Sequence, residues 1–315
     1  MHDPAARHQL SVIVVTMNSA HFIEACLRSV GKQSLRFPHE VIVVDNASSD
    51  GTVEIVQKTF PRTRLIRLSE NKGFSAGNNA GIRASTGDTV LLLNPDTVLG
   101  ENALEALMSR LDADTSAAAA GPKIFNEDGT LQRTGISFPS IWNTVCEILL
   151  LDKAFPHSKV FGRHRRLYED PDRSIPVDYL QGSCLMVKRA SLEAAGLLDE
   201  GYFMYFEEVD LCRKFRTLGW KTVYEPAADI IHFGGSGAGF YDRVRLTHFY
   251  ASYMRYLRLH EKKSTRNLFR NLLTIRAMTR IGAFFVGALL IPEKRDEYWE
   301  RCGAYVKALR IVLIG

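Results

Sequence analysis

The sequence predicts an α/β fold: a mostly parallel sheet flanked by helices, with a helical C-terminal extension. Two observations carry the sheet. Apolar runs rich in β-branched residues recur through the first hundred residues, each followed by a helical pattern, which is the spacing of βαβ units. The runs are continuous rather than alternating, as expected of strands covered on both faces. A third observation carries the extension: Tyr250, Tyr253, Met254 and Leu257, then Leu268, Leu272 and Ile275, recur at helical spacing.

In chain order, residues 10–16 give the first strand, and Phe22, Ile23, Cys26, Leu27 and Val30 the apolar face of a helix. Residues 40–45 give a second strand, running into a polar loop at 45–51 whose Asp50 caps a helix over 53–59. Residues 65–68 form a third strand, 71–81 lead into a helix ending near Gly87, and 89–94 form a fourth strand stopped by Pro95 and Asp96. After Gly121 the pattern changes to turns and short strands. Residues 141–155 read as one helix, 162–176 as a charged loop, 179–188 as a strand and 190–196 as a short helix. A strand over 221–225 and an apolar segment from Asp229 to His232 end in a glycine-rich loop.

Ligands of such sheets sit beyond the carboxyl ends of the strands. Thr16, Met17 and Asn18, then Asp45 and Asn46, then Asn94, Pro95 and Asp96 all fall there. The first strand-to-helix turn lacks GxGxxG, and no GxxxxGK[ST] occurs, which removes dinucleotide and P-loop readings, and with them a nucleotidyltransferase. The edge carries acids instead. An acid ending strand two can grip a base or ribose, and one after strand four can hold a cation on a diphosphate. Each also has a plainer use, Asp45 as a turn former and Asp96 as a strand stop.

A second acidic feature opens a helix: Glu207, Glu208 and Asp210 precede the apolar face of Leu211, Phe215 and Leu218. Acids there complement the helix dipole. Three exceed that need, and the neighbouring Tyr202, Phe203, Tyr205 and Phe206 are expected to wall them into a partly dry place, raising a carboxyl pKa toward that of a general base.

The net charge of +5 is unevenly spread. Residues 243–280 hold ten Lys or Arg against one acid, a charge of +9, leaving −4 for the rest. Arg266 and Arg270, then Arg276 and Arg280, recur at helical spacing, as in a helix lying on an anionic membrane; a helical cap on the catalytic domain or a dimer interface, with the charged face in water, is the alternative. No nucleic-acid module is present. Five scattered cysteines without a CxxC pair argue for a reducing compartment, the N-terminus has no signal-peptide core, and the longest apolar run, 281–291, is too short to span a bilayer.

Together, SVIVVTMN (11–18), VVDNASSDG (43–51), NKGF (71–74), LLNPD (92–96), the Glu207-Glu208 pair and His232 resemble the family 2 glycosyltransferases, inverting enzymes of the Rossmann-like GT-A fold. LNPDT (93–97) and FEEVDLC (206–212) look most like the bacterial rhamnosyltransferase branch. The resemblance implies a hexosyltransferase domain over 1–240, with a nucleotide-binding half over 8–121 and an acceptor half over 122–240. Residues 241–315 form the basic helical remainder. It also implies that Thr16, Asn18 and Asp45 contact the base and ribose of the donor, that Lys72 and Gly73 lie against the nucleotide, and that Asn94 and Asp96 face its diphosphate. Asp96, with His232, would ligate Mg²⁺ or Mn²⁺. Asn94 stands where the family's DxD has a second acid. Glu208 would be the base, with Glu207 in reserve. Gln132, Arg133, Gln181, Gly182 and Asp210 are acceptor-site candidates. The donor expected is dTDP-rhamnose, with UDP-sugars such as UDP-galactofuranose or UDP-GlcNAc as alternatives. The acceptor expected is polyprenyl-linked or a glycan in cell-surface polysaccharide synthesis, reached from the cytoplasm at the inner face of the plasma membrane through 243–291. A catalytically silent sugar-nucleotide-binding or scaffold protein is the rival from another class.

Overall fold

The computed structural model of this 315-residue chain describes residues 9–132, 134–235 and 243–314. Strands β1 (Leu10–Thr16), β2 (His39–Asp45), β3 (Arg64–Arg67) and β4 (Thr89–Leu93) alternate with helices α1 (Ile23–Gly31), α2 (Thr52–Thr59) and α3 (Phe74–Ala84). The four strands are parallel in the order β3-β2-β1-β4. Every residue of β1 and β4 is buried, the burial that their unbroken apolar runs require. Asp50 accepts hydrogen bonds from the Thr52 amide and hydroxyl at the start of α2. α3 ends at Ala84, earlier than the expected Gly87, because Ser85 turns extended and its hydroxyl donates to the Ile82 carbonyl.

Next come β5 (Thr97–Leu99), α4 (Ala103–Ala113), β6 (Ala117–Phe125), β7 (Leu131–Gln132) and β8 (Gly135–Ile136). After them lie α5 (Ile141–Ile148), α6 (Leu151–Ala154), β9 (Ile175–Val177), β10 (Tyr179–Leu180), β11 (Cys184–Lys188), α7 (Arg189–Ala194), α8 (Glu207–Thr217) and β12 (Lys221–His232). The sheet continues β4-β11-β6-β12-β5, with β11 antiparallel to both neighbours and β12 parallel to β6. β6 runs straight through Gly121, where a change of pattern was expected. Its alanines favour helix, but pairing with β11 on one side and β12 on the other holds them in the sheet, where all four are buried. The expected strand over 179–188 is two strands parted by a turn at 181–183, and the expected helix over 141–155 is broken at Leu150, whose φ is 57°.

The chain divides into two compact units. The sheet unit takes the chain up to Phe138, with Glu169–Phe203 and Glu207–Gly235. The helical unit takes Pro139–Tyr168, Met204–Phe206 and the C-terminal helices α9 (Arg243–His260), α10 (Lys263–Leu290) and α11 (Arg295–Ile314). Within it, α10 buries Phe269, Leu273, Ala277, Phe284 and Ala288 while exposing Leu268, Ile275, Met278, Phe285 and Leu289 on its other side. α10 is long and apolar enough to cross a bilayer by length and composition, contrary to the sequence expectation. Arg276 and Arg280 interrupt the apolar run in the sequence, but Arg276 turns inward to Glu147 at 2.8 Å.

Glycines set how closely α3 approaches β1. A Cβ at Gly81 would lie 2.5 Å from Ile13 Cγ2 and 3.2 Å from Val44 Cγ2. Helix propensity favours Gly81→Ala by about 1 kcal/mol; overpacking a rigid β-branched core opposes it by about 1–3 kcal/mol. The expected outcome is net destabilisation, read as a lower midpoint in denaturant unfolding.

Candidate active site

The in-register ends of β1, β2 and β4 supply the first part of the site. Thr16 pairs opposite Asp45, and Val14 opposite Leu93. Thr16 and Asp45 are buried, and Thr16 Oγ1 and Asp45 Oδ1 have no hydrogen-bond partner among the described residues. Asp45 Oδ2 accepts from the Ser48 amide at 3.1 Å, the turn-forming use of that residue. Asn18, at φ 51°, ties the loop after β1 to the loop after β2: its amide donates to Ser48 Oγ and its Oδ1 accepts from the Ser49 amide, both at 2.9 Å.

Asn46, which the sequence places at the same edge without a role, clamps three segments. Its amide donates to Thr16 O at 2.8 Å, its Nδ2 to Gly73 O at 3.0 Å, and its Oδ1 accepts from the Lys72 amide at 3.2 Å. The Lys72 side chain is half exposed with Nζ 3.9 Å from Glu70. Gly73 departs from the expectation that its bare face lies against a nucleotide. That face meets Phe203, where a Cβ would stand 2.5 Å from the carbonyl oxygen, and at φ 87° the backbone also demands glycine.

The loop after β4 supplies the second part. The Asn94 amide donates to Ser183 O at 2.8 Å, while Asn94 Oδ1 and Ser183 Oγ are buried without partners. Asp96 lies beside the end of β12: Phe233 N donates to Asp96 O at 2.9 Å, and Asp96 Oδ1 stands 3.4 Å from His232 Nε2. The bare α-carbon of Gly234 makes room for this carboxylate, since a Cβ there would come within 2.1 Å of Asp96 Oδ2. His232 Nδ1 meets Gln132 Oε1 at 2.9 Å. Gln132 also donates through Nε2 to Asn126 at 2.7 Å, so both ends of its amide are engaged and it is not a free acceptor-site group. Arg133 lies outside the described residues.

The start of α8 supplies the third part. Glu207 is buried and Glu208 half-buried, and each has an Oε2 without a partner. Gly182 faces Glu208, with Cβ-to-Cβ separation of 3.5 Å were it alanine, so the 181–183 turn, including Gln181, borders that carboxylate. Through the bond between Asn94 and Ser183, the same turn joins the edge that holds Asp96.

Asp210 is different. Its carboxylate is fully buried, ion-paired to Lys214 at 2.7 Å and reached by the Tyr202 hydroxyl at 3.5 Å, so it fastens α8 and is shut off from any acceptor. Tyr205 and Phe206, at φ 69° and 68°, turn the chain into α8. Both rings meet Phe249, and Phe206 also stacks on Tyr253 at 4.7 Å.

Burial dominates the electrostatics. It lifts Glu208 to about 7, partly offset by the amides of residues 208 and 209 at the helix start. Burial raises Glu207 well above the usual carboxyl range, and the Glu208 charge adds to it. The pair therefore titrates as a unit, holding a proton near neutrality that ordinary carboxylates would have lost.

The residues around Asp96 fit a divalent ion held jointly with a ligand. Oδ1 and Nε2 stand 3.4 Å apart, close to the about 3 Å between neighbouring ligand atoms in an octahedral shell. No cluster of three ligating side chains occurs among the described residues, so the remaining positions would fall to diphosphate oxygens and water.

Comparison with known proteins agrees with this architecture. The profile of Glycosyl transferase family 2 matches residues 11–194. An N-acetylglucosaminyl-diphospho-decaprenol L-rhamnosyltransferase of Mycobacterium tuberculosis is 30% identical over 241 residues, 73% of this chain and 78% of its own. The low-salt glycan biosynthesis hexosyltransferase Agl10 of Haloferax volcanii is 27% identical over 298 residues, 92% of this chain and 87% of its own. The Pyrobaculum calidifontis mannosyltransferase PcManGT, solved with GDP-Man and Mn²⁺, superposes with a TM-score of 0.57 at 19% identity, over 98% of this chain and 88% of its own, a likeness of fold. A sheet whose carboxyl edge gathers unpaired acids and amides, joined to that family match, makes this chain a glycosyltransferase of family 2, on its rhamnosyltransferase side.

Proposed function

We propose that the site transfers L-rhamnose from dTDP-rhamnose to a polyprenyl-linked or glycan acceptor, with inversion. The observation that supports it most is the set of unpartnered polar atoms at one sheet edge: Thr16 Oγ1, Asp45 Oδ1 and Asn94 Oδ1, with the carboxylates of Glu207 and Glu208 nearby in the fold. Buried polar atoms without partners are rare, and a bound polar ligand explains several at once. The Mycobacterium relative, named for transfer of rhamnose to N-acetylglucosaminyl-diphospho-decaprenol, supports the donor sugar and a lipid-linked acceptor.

In this reading Thr16, Asn18 and Asp45 hold the base and ribose, and Asn94 orients the diphosphate. Asp96 and His232 would hold Mg²⁺ or Mn²⁺, and a bound ion would supply positive charge against that developing on the leaving diphosphate. Glu208 accepts the acceptor hydroxyl's proton as its oxygen bonds to the anomeric carbon and the bond to the diphosphate oxygen breaks. One displacement inverts that carbon. Glu207, raised by burial and by the Glu208 charge, keeps its own proton beside the base. Gln181 and Gly182 border the acceptor. The exposed apolar stripe of α10, with the basic charge of 243–291, lies against the anionic inner face of the plasma membrane and brings the enzyme to a lipid-linked acceptor.

Glu208→Gln should lower kcat by about 10²–10⁴-fold while leaving donor affinity unchanged, as read from dTDP release and donor titration. A base must be deprotonated, and burial raises this one, so wild-type kcat/KM should climb as pH rises through about 7. Wild-type turnover in the variant would move the base to Glu207. In thermal unfolding, dTDP with Mn²⁺ should raise the midpoint more than either alone, and Asp96→Ala should lose the part that needs Mn²⁺. A shift confined to UDP-sugars would reassign the donor. The chain should co-sediment with anionic vesicles more than with zwitterionic ones, and replacing Leu268, Ile275 and Met278 by Ser should abolish this. Self-association without vesicle binding would make the stripe an oligomer interface.

A further inference from the structure

Resting on the reading of Asp96 and His232 as metal ligands, we propose that Gln132 is a positioning residue. It holds His232 with its proton on Nδ1, so that the Nε2 lone pair is turned toward Asp96. An imidazole can carry its proton on either nitrogen, and only the bare one can bind a metal. Which form exists here follows from a chain of side chains in the β6–β7 hairpin.

The chain starts at a group that can only accept. Asp128 is an ionised carboxylate, held below the usual range by the Thr130 hydroxyl, so Thr130 Oγ1 donates to Asp128 Oδ1 at 2.5 Å. Thr130 Oγ1 is left to accept, and Asn126 Nδ2 donates to it at 2.8 Å. That turns Asn126 Oδ1 toward Gln132, whose Nε2 donates to it at 2.7 Å. Gln132 Oε1 then faces His232 Nδ1 at 2.9 Å and can only accept, which requires the proton on Nδ1. His232 Nε2 stands 3.4 Å from Asp96 Oδ1, long for a charge-assisted hydrogen bond and suited to two atoms sharing a cation. The hairpin fixes the order: Ile124 pairs with Gln132 and Phe125 with Leu131, while Ile230 and Ile231 of β12 pair with Ile124 and Phe125. His232 is therefore brought beside the hairpin by the backbone. Sequence reasoning took Gln132 for an acceptor group; its partner lies 100 residues away in the chain.

The test uses long-range ¹H–¹⁵N spectra of the full, metal-free chain at alkaline pH, with the His232 signals identified by their loss in His232→Gln. The wild type should show a proton on Nδ1, and Gln132→Leu should move it to Nε2. Gln132→Glu, which still accepts, should keep it on Nδ1 and show that the change is not one of folding. Mn²⁺ affinity measured in the presence of dTDP should fall about 10–100-fold in Gln132→Leu and recover in Gln132→Glu. A wild-type proton on Nε2, or a tautomer indifferent to Gln132→Leu, overturns the inference. A tautomer that moves as expected with Mn²⁺ affinity unchanged sustains the positioning role and overturns His232 as a metal ligand.

Discussion

The register of three parallel strands is the constraint on which the rest depends. Because Thr16 lies opposite Asp45 and Val14 opposite Leu93, β1, β2 and β4 end together, and the polar residues that follow them open at one level. A slip of one residue would send each of these side chains to the opposite face. The apolar residues of β1 and β4, buried on both faces, fix that register more firmly than any polar contact at the edge. Once it is set, Asn46 needs only short hydrogen bonds to hold the loop after β1 and the 72–73 segment in place.

The two carboxylates at the start of α8 work against stability. A buried carboxyl keeps its proton to higher pH in the folded chain than in the unfolded one, so the native state loses stability as pH rises from the ordinary carboxyl range toward neutrality. The left-handed pair Tyr205 and Phe206 adds backbone strain at the same place. Asp210 with Lys214 and Tyr202, and the stacking of Phe206 on Tyr253, are the compensations nearby. Strain and desolvation gathered at one helix start exceed what an acid complementing the helix dipole needs, and mark this as a candidate functional position.

Much of this was legible in the sequence, because strands rich in Val, Ile and Leu declare themselves and the acids follow directly on their ends. β6 was not: four alanines favour helix, and only pairing with β11 and β12, distant in the sequence, makes them strand. The fastening role of Asp210 was readable from Lys214 four residues on. Nothing local revealed the uses of Gln132, Asn46 or Gly73, whose partners His232, Thr16 and Phe203 come together only in the folded chain. Sequence pattern thus pointed to a candidate edge, while tertiary contacts show which of its polar residues hold others still.

All five cysteines are reduced and sealed in the interior. Cys26 sits beneath the loop that carries Asp96, its thiol directed at the Asn94 carbonyl at 3.6 Å and pushed up to about 12 by burial. Alkylating reagents and dissolved oxygen therefore find no reactive sulfur on the native surface. A cysteine introduced at any exposed position would be the lone handle for a fluorophore or spin label, with no need to strip the natural thiols from the core.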